Sequence, residues 1–261
     1  MCIRDSLYLD SAFRNQFVDE ITHAEVLKWF KRVSDRGGPG AGNRTLEILR
    51  SMMNKAEAWG YREECSNPCR GIRFNRKRKY ECFLSNEELA RLGAALEELK
   101  SDRLPHATAL LVIALTGCRK SEILGLTWNE VKGRRLLLHD SKTGPRTVWM
   151  GDEARALLDA LPRHPRHNRV FWHGEYDDLD SSVYFHFQAA RAKAGLPKIR
   201  IHDLRHSFAS HAAAMSETLP MIGKLLGHAR VSSTARYAHL DDRSVIDAAE
   251  RMGELLEGFM A

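Results

Sequence analysis

The sequence predicts a mainly helical fold with one small antiparallel sheet, divided into two domains. Apolar residues recur at spacings of three and four along most of the 261 residues, which is typical of helices. Two short runs, 135–139 and 146–150, flank a turn instead and predict a β-hairpin. The stretch 61–79 lacks a convincing period and separates two groups of helices. We therefore expect domains at 1–79 and 80–261.

Two helices are predicted in the first domain. Thr22 and Glu25 form a capping box that starts the first helix, which stops near Gly37. Its core-facing side is expected to carry Leu27, Phe30 and Val33. Asn43 is expected to open the second helix, which ends by Gly60. The core-facing side of that helix would carry Leu46, Leu49, Met53 and Ala56.

The second domain begins with another capping box, formed by Ser85 and Glu88. The helix that follows is expected to bury Leu89, Leu92, Leu96 and Leu99. Further helical patterns span 105–116, 119–125, 152–161, 182–194, 203–215, 218–226 and 243–258. The predicted hairpin lies among them, around a turn at 140–145. This domain is therefore expected to be the larger one and to contain the only predicted sheet.

Positive charge is concentrated in the first domain. Residues 1–79 hold 16 Lys and Arg against 10 Asp and Glu, an excess equal to the net charge of +6 of the whole chain. The excess ends in a basic linker, 71–79. On a DNA backbone such a segment gains from the release of condensed counterions, and a solvated linker is the alternative. The candidate DNA-binding residues are Arg44, Arg73, Arg76, Lys77, Arg78 and Lys79.

Several classes of protein are excluded by composition. The longest apolar run, 109–115, is too short to span a membrane, and residues 1–10 carry no secretory signal. The five cysteines form no CxxC pair, so we expect reduced thiols in a cytoplasmic protein, with Cys118 in the core. No metal or other cofactor is expected. A zinc site built on Cys65, Cys69 and Cys82 is the alternative.

Two basic residues are candidates for a site in the second domain. Arg119 follows Gly117 at a helix start, where backbone N–H groups favour a phosphate oxygen, and Glu122 lies one turn on to hold the guanidinium. The alternative is an exposed arginine paired with Glu122. Lys142 lies at the tip of the predicted hairpin, where most lysines are only solvated.

Two further segments carry imidazoles. In HDLRHSFAS, His202 and Arg205 lie on one helix face and suit a phosphoryl group, and Asp203 is expected to support them. His206 and His211 are interpreted there as structural or surface residues. The segment LLGH ends at His228, and the polar stretch that follows leads to Tyr237, whose hydroxyl we expect to be reachable.

Together these motifs resemble those of the tyrosine recombinases, the family of phage and genomic-island integrases and chromosome-dimer resolvases. TGCRKSEILGLTW, SKTG, HDLRHSFAS, LLGH and Arg236-Tyr237 occur in the family's order and spacing, over about residues 82–240. The first domain resembles the family's core-binding domain. The resemblance implies a two-domain, C-shaped clamp around DNA. It also implies site-specific DNA recombination and integration on behalf of a mobile element.

The resemblance implies a role for each matching residue. Arg119 and Arg205 match the arginines that clamp the phosphate, and Lys142 matches the lysine that protonates the departing 5′ oxygen. His202 would help to deprotonate the tyrosine, and His228 would donate a hydrogen bond to the phosphate. Attack by Tyr237 would give a 3′-phosphotyrosine that conserves the bond energy, so neither ATP nor metal is needed.

The chain starts inside the family's core-binding region, so we expect an N-terminally truncated integrase. The family hands its last helix to a neighbouring protomer, which implies a tetramer on DNA. Here that helix would present Val245, Ala249, Met252, Leu256 and Phe259, although such a stripe also suits packing within one domain. Two alternatives stay open for function. One is a DNA-binding remnant that no longer cuts, and the other is a nicking-closing enzyme like the type IB topoisomerases.

Overall fold

The protein forms two compact units, Met1–Tyr80 and Glu81–Ala261. The computed structural model describes residues 5–76, 82–139, 141, 144–172, 179–215, 217–235, 237, 250, 252–254, 256–257 and 259, without the side chains of residues 5, 6 and 102. Each unit has its own hydrophobic core.

The first unit is helical. A π-helical turn, Asp5–Asp10, precedes α1 (Ser11–Phe13), α2 (His23–Gly37) and α3 (Pro39–Ala58). The capping box of Thr22 and Glu25 is confirmed at the start of α2. Phe30 and Val33 are buried as predicted, but Leu27 is 48% exposed. Trp29 is buried instead, and its indole N–H donates to the carbonyl of Tyr8 at 2.9 Å.

α3 starts four residues earlier than predicted. Gly38, at φ +84°, turns the chain, and Pro39 occupies the first helical position, where its missing N–H costs nothing. Asn43 is therefore inside the helix rather than at its start. Its buried side chain exchanges two hydrogen bonds, of 2.8 and 2.9 Å, with the backbone of Asn75. The predicted core residues of α3 are confirmed.

The segment after α3 packs onto the first unit. Cys69 and Ile72 are buried in its core, and the Arg50 guanidinium donates to both of their carbonyls at 3.1 Å. The interpretation of this segment as a linker is therefore wrong as far as Asn75. Arg76 is exposed, whereas 77–79 lie outside the described residues.

The second unit combines helices and a sheet. The capping box of Ser85 and Glu88 is confirmed, and the first helix is kinked at Arg103, ahead of Pro105. Its helices are α4 (Asn86–Thr116), α5 (Lys120–Leu124), α6 (Asp152–Asp159), α7 (Leu179–Lys193), α8 (Ile201–Ala214), α9 (Leu219–Leu226) and α10 (Val231–Thr234). A 3-10 turn, Trp128–Glu130, leads into the sheet.

The sheet has three antiparallel strands in the order β1 (Val131–Lys132), β2 (Arg135–Leu138) and β3 (Arg146–Trp149). Leu136 pairs with Val148, and both side chains are buried. The predicted hairpin is confirmed, and β1 is an addition to it. The mainly helical fold class with a small antiparallel sheet is confirmed as well.

The core of the second unit forms around α4. Leu110 and Ile113 of this helix are buried together with Phe187 of α7 and Leu204 of α8, and Cys118 is fully buried as predicted. A smaller apolar cluster joins α8 and α9. Of the predicted last helix, the described residues 250, 252–254, 256–257 and 259 are helical, and the others lie outside the description. No described helix has the length and apolar character to cross a membrane.

Candidate active site

Arg119 stands at the start of α5, as predicted. Gly117 ends α4 in a left-handed conformation, at φ +64°, and a Cβ there would lie 2.6 Å from the ring of Phe208. The next helix, α5, begins three residues later at Lys120, with Arg119 as its N-cap. The Arg119 guanidinium donates to Glu122 at 2.6 Å, and the Arg119 backbone N–H donates to the same carboxylate at 2.8 Å. Glu122 thus holds the guanidinium, as expected.

Glu122 has a second partner that the sequence did not reveal. Arg146, on β3, donates to the Glu122 carboxylate at 2.8 Å and lies 3.4 Å from the carbonyl of Leu225. Burial raises the pKa of Glu122, but the hydrogen bonds and charges of Arg146 and Arg119 outweigh it and hold the pKa below its usual value. Glu122 is therefore a carboxylate shared by two guanidinium groups.

Arg205 connects two motifs that are distant in sequence. It is 3% exposed on α8, and its guanidinium donates to the carbonyl of Gly117 at 2.6 Å and to that of Leu226 at 2.9 Å. Burial lowers the pKa of Arg205 to about 10, and the charges of Arg119 and Arg146 add to this effect. Three arginines around one carboxylate leave an excess of positive charge, which favours an anion.

His202 lies one turn before Arg205 on α8, with an exposed edge. Desolvation lowers the pKa of His202, and the nearby charge of Arg205 lowers it further, so the imidazole is neutral near neutral pH. Asp203 is fully buried and accepts hydrogen bonds from the backbone and guanidinium of Arg200, at 2.8 and 2.7 Å. Asp203 therefore fixes the start of the helix that carries His202 and Arg205.

His228 follows α9 at a tight turn. Gly227 is left-handed, at φ +66°, and a Cβ there would lie 2.5 Å from atoms of Arg146. The Nδ1 atom of His228 is hydrogen-bonded to the hydroxyl of Thr234 at 2.8 Å, and Thr234 is 1% exposed. Thr234 therefore sets the orientation of the imidazole. The Ser- and Thr-rich stretch before Tyr237 was the only sequence signal for this contact.

Tyr237 is 1% exposed, so the expectation of a reachable hydroxyl is wrong for this state of the protein. Its ring packs in the apolar cluster with Ala213, Ile222 and Phe83. Its hydroxyl is hydrogen-bonded to the Nδ1 atom of His206 at 2.7 Å. His206, interpreted from sequence as a structural or surface residue, is therefore in contact with the candidate nucleophile.

The remaining predicted residues divide into two groups. The Nε2 atom of His211 is hydrogen-bonded to the carbonyl of Leu84 at 3.0 Å, which is the structural role expected of it. Three candidate DNA-binding residues of the first unit are exposed, namely Arg44, Arg73 and Arg76. The others, Lys77, Arg78 and Lys79, lie outside the described residues, as does Lys142.

The described cysteines do not form the alternative zinc site. Cys65 is exposed, Cys69 is buried and Cys82 is half-buried. Across the described ranges, no group of three or more His, Cys, Asp or Glu could hold a metal ion.

The chain is similar to known proteins in sequence. Residues 82–244 match the phage integrase family. The integrase of Haemophilus phage HP1 is 31% identical over 204 residues, which are 76% of this chain and 55% of the length of that protein. A tyrosine recombinase of Thermosipho africanus is 26% identical over 255 residues, which cover 90% of this chain and 86% of that protein.

Solved structures show the same fold. A lambda integrase dimer (75–356) bound to a COC′ core site is 18% identical, with a TM-score of 0.73 over 89% of this chain and 85% of that one. A lambda integrase tetramer bound to a Holliday junction is 19% identical, with a TM-score of 0.65 over 81% of this chain and 65% of that one. The chain belongs to the phage integrase family of tyrosine recombinases, enzymes that break and rejoin DNA.

Proposed function

We propose that this chain is a site-specific DNA recombinase that cleaves and rejoins DNA through a covalent bond between Tyr237 and a 3′ phosphate. The observation that carries the proposal is the pair of hydrogen bonds from Arg205 to the carbonyls of Gly117 and Leu226. They bring together the segments of Arg119 and His228, which are far apart in sequence. Both segments then lie against α8, which also carries His202.

The electrostatics of this cluster suit a phosphodiester. Arg119, Arg146 and Arg205 bring three positive charges against the single negative charge of Glu122. A phosphodiester supplies the missing negative charge, which increases on the non-bridging oxygens as the nucleophile attacks. Arg119 and Arg205 are the proposed phosphate ligands. The imidazole of His228, held at Nδ1 by Thr234, presents Nε2 as a further donor.

The proposed reaction conserves the energy of the cleaved bond. Tyr237 loses its proton and forms a bond to phosphorus, and the bond from phosphorus to the 5′ oxygen breaks. His202 assists the removal of the proton, and Lys142 supplies a proton to the leaving oxygen. The assignment of Lys142 rests on its position in the SKTG motif. The reverse attack by a 5′ hydroxyl rejoins a strand.

The first unit is proposed to bind the duplex as a core-binding domain. Arg44 is 61% exposed at its side chain, and Arg73 and Arg76 are exposed as well. Such side chains contact backbone phosphates without fixing a sequence. The basic residues 77–79 extend the charged segment, which supports a role in affinity.

A tetramer on DNA is the proposed assembly, since lambda integrase is seen as a dimer on a core site and as a tetramer on a Holliday junction. In the last helix, the described side chains of Met252, Leu256 and Phe259 are 53%, 49% and 77% exposed. We expect deletion of 243–261 to spare cleavage of a half-site more than strand exchange between full sites. Equal loss of both activities would indicate that the helix serves only its own domain.

The nucleophile is tested with a pool of nicked duplexes whose sequence is randomised on both sides of the nick. Attack near the nick releases a short fragment, so the covalent adduct accumulates, and sequencing the bound DNA identifies the site. We expect an adduct with the wild type and none with Tyr237→Phe, which removes only the hydroxyl. An adduct that persists in the Phe variant would place the nucleophile elsewhere, with Tyr184 and Tyr176 the next candidates.

The same experiment separates the alternatives. A DNA-binding remnant would enrich sequences without forming an adduct. A nicking-closing enzyme of the topoisomerase type would form adducts on DNA of any sequence and relax any supercoiled plasmid. A recombinase is expected to form adducts on an enriched sequence and to exchange strands between two copies of it.

A further inference from the structure

We propose that His206 is a further catalytic residue, which accepts the proton of the Tyr237 hydroxyl at its Nδ1 atom as the tyrosine attacks. The inference rests on the proposed function, since it presumes that Tyr237 is the nucleophile. It assigns the direct proton transfer to His206. His202 is the neighbour of His206 on the same helix.

The first support is geometric. The Tyr237 hydroxyl lies 2.7 Å from Nδ1 of His206, which is within the reach required of a general base. The ring centroids are 6.2 Å apart, so the contact is made by the polar edges of the rings rather than by stacking. His206 is on α8, one turn after His202. Its position is therefore set by the same rigid helix that holds Arg205.

The second support is the burial of the nucleophile. A free phenol has a pKa of about 10, so a tyrosine carries its proton near neutral pH and must lose it as it attacks. Tyr237 is 1% exposed among apolar side chains. Water therefore has little access to the hydroxyl in this state. Among the described residues, His206 is hydrogen-bonded to it and can take up its proton.

The third support is the neighbour of His206 on α8. The rings of His206 and His202 are 4.7 Å apart between centroids and nearly perpendicular, at 85°. Desolvation and the charge of Arg205 lower the pKa of His202, so this neighbour is neutral near neutral pH. A neutral His202 does not repel the positive charge that His206 gains with the proton.

The step balances. The O–H bond of Tyr237 breaks, its oxygen forms the bond to phosphorus, and the 5′ oxygen leaves with a proton from Lys142. The proton of the tyrosine resides on His206 as an imidazolium. On rejoining, the 5′ hydroxyl attacks, the phosphotyrosine bond breaks, and His206 returns the proton to the phenolate. No oxidant, metal or nucleotide takes part.

The test uses three variants of the full chain, the nicked duplex of the sequence enriched by the wild type, and single-turnover rates of adduct formation. His206→Asn places an amide oxygen near the position of Nδ1 and can still accept the hydrogen bond, but it cannot take up a proton. His206→Phe removes both properties. His211→Asn is the matched control, because His211 lies on the same helix and contacts the Leu84 carbonyl instead.

We expect His206→Asn and His206→Phe both to lower the rate by about 100-fold or more, the usual contribution of a general base. The control should keep the wild-type rate. In His206→Asn the rate should also lose the imidazole titration of the wild type and rise steadily with pH towards the phenol pKa of about 10. A wild-type pH profile in His206→Asn, or recovery of the wild-type rate by the Asn side chain, would overturn the proton transfer.

Folding is followed separately by thermal unfolding of His206→Asn, Tyr237→Phe and the double variant. We expect the His206 substitution to shift the unfolding temperature less when the hydroxyl is already absent, since the two groups interact. Additive shifts would show that the contact is absent in solution and would overturn the inference. Loss of the adduct in the wild type itself would instead refute the proposed function.

Discussion

Arg205 and Arg146 of the second unit and Arg44 of the first unit stand in opposite environments. In the second unit, Arg205 is 3% exposed and the side chain of Arg146 is 9% exposed, and both bind backbone carbonyls. In the first unit, the side chain of Arg44 is 61% exposed and forms a surface ion pair with Glu47 at 3.1 Å. Arginine is therefore expected to have two different roles in this protein.

The difference follows from solvation. A buried guanidinium is held in one geometry, and its removal leaves buried partners without a hydrogen bond. An exposed guanidinium remains hydrated and adds to binding mainly through counterion release, which salt weakens. The buried set should therefore govern the rate of the chemical step, and the exposed set should govern affinity.

The largest expected effect is that of Arg205→Ala. Loss of an electrostatic donor should slow cleavage by roughly two to three orders of magnitude. Arg205→Lys keeps the charge but cannot bind both carbonyls with one planar group, so it should recover only part of the rate. Single-turnover cleavage of the enriched nicked duplex measures both variants. A wild-type rate in Arg205→Lys would show that charge alone matters and that the carbonyl contacts do not.

The roles of Arg119 and Lys142 should be distinguishable by a change of the leaving group. Arg119→Ala should cleave any substrate more slowly than the wild type, by roughly two orders of magnitude or more. Its rate should be similar to that of Arg205→Ala. Lys142→Ala should be rescued by a 5′-phosphorothiolate duplex, because sulfur leaves without needing a proton. The measurement is the ratio of cleavage rates on the thiolate and ordinary duplexes. Rescue of Arg119→Ala but not of Lys142→Ala would reverse the two roles.

Arg146→Met should act on stability in a pH-dependent way. Removing one partner of a buried ion pair costs about 3–5 kcal/mol. The lowered pKa of Glu122 stabilises the fold above its unfolded pKa of about 4.3, and this contribution is lost as the pH falls through the folded pKa. The difference in unfolding free energy between variant and wild type should therefore shrink on acidification. Urea unfolding at pH 7 and pH 4 measures it, and an equal difference at both would exclude the ionised Glu122 as its source.

The smallest expected effect is that of Arg73→Ala combined with Arg76→Ala. Affinity for the duplex should fall, and the slope of log affinity against log salt should lose about 0.9 for each phosphate contact removed. The cleavage rate of the bound complex should not change. Titration of a labelled duplex at several salt concentrations tests this. A slower cleavage step in the bound complex would show that the exposed arginines also affect the rate, which would contradict the proposed difference between buried and exposed arginines.

Local sequence signals predicted most of the helices and strands. Both capping boxes occur where the sequence placed them, and the hairpin has the predicted strands. The prediction errors lie where a residue contacts a distant part of the chain. Leu27 is exposed, whereas Trp29 is buried and reaches the Tyr8 carbonyl. Asn43 lies inside α3 and bonds to Asn75, 32 residues away.

The site divides in the same way. Arg119, Glu122, His202, Arg205 and His228 were candidates from motif and spacing, and their roles stay predictions. Arg146, Thr234 and His206 were not among the candidates, since each contacts a residue on another element: Glu122, His228 and Tyr237 respectively. An arginine at a strand start, a threonine in a polar stretch and a second histidine on a helix have no local signature for such partners. Only the folded chain brings them together.

The two carbonyl contacts of Arg205 also bear on when the chain becomes capable of cutting DNA. They close over sequence separations of 88 and 21 residues, so both segments must dock before the guanidinium is satisfied. Contacts of such long range form late, because chain entropy opposes them until the rest of the domain is in place. A nascent or partly unfolded chain therefore lacks the arginine cluster, because the cluster exists only once α4, α8 and α9 are packed together.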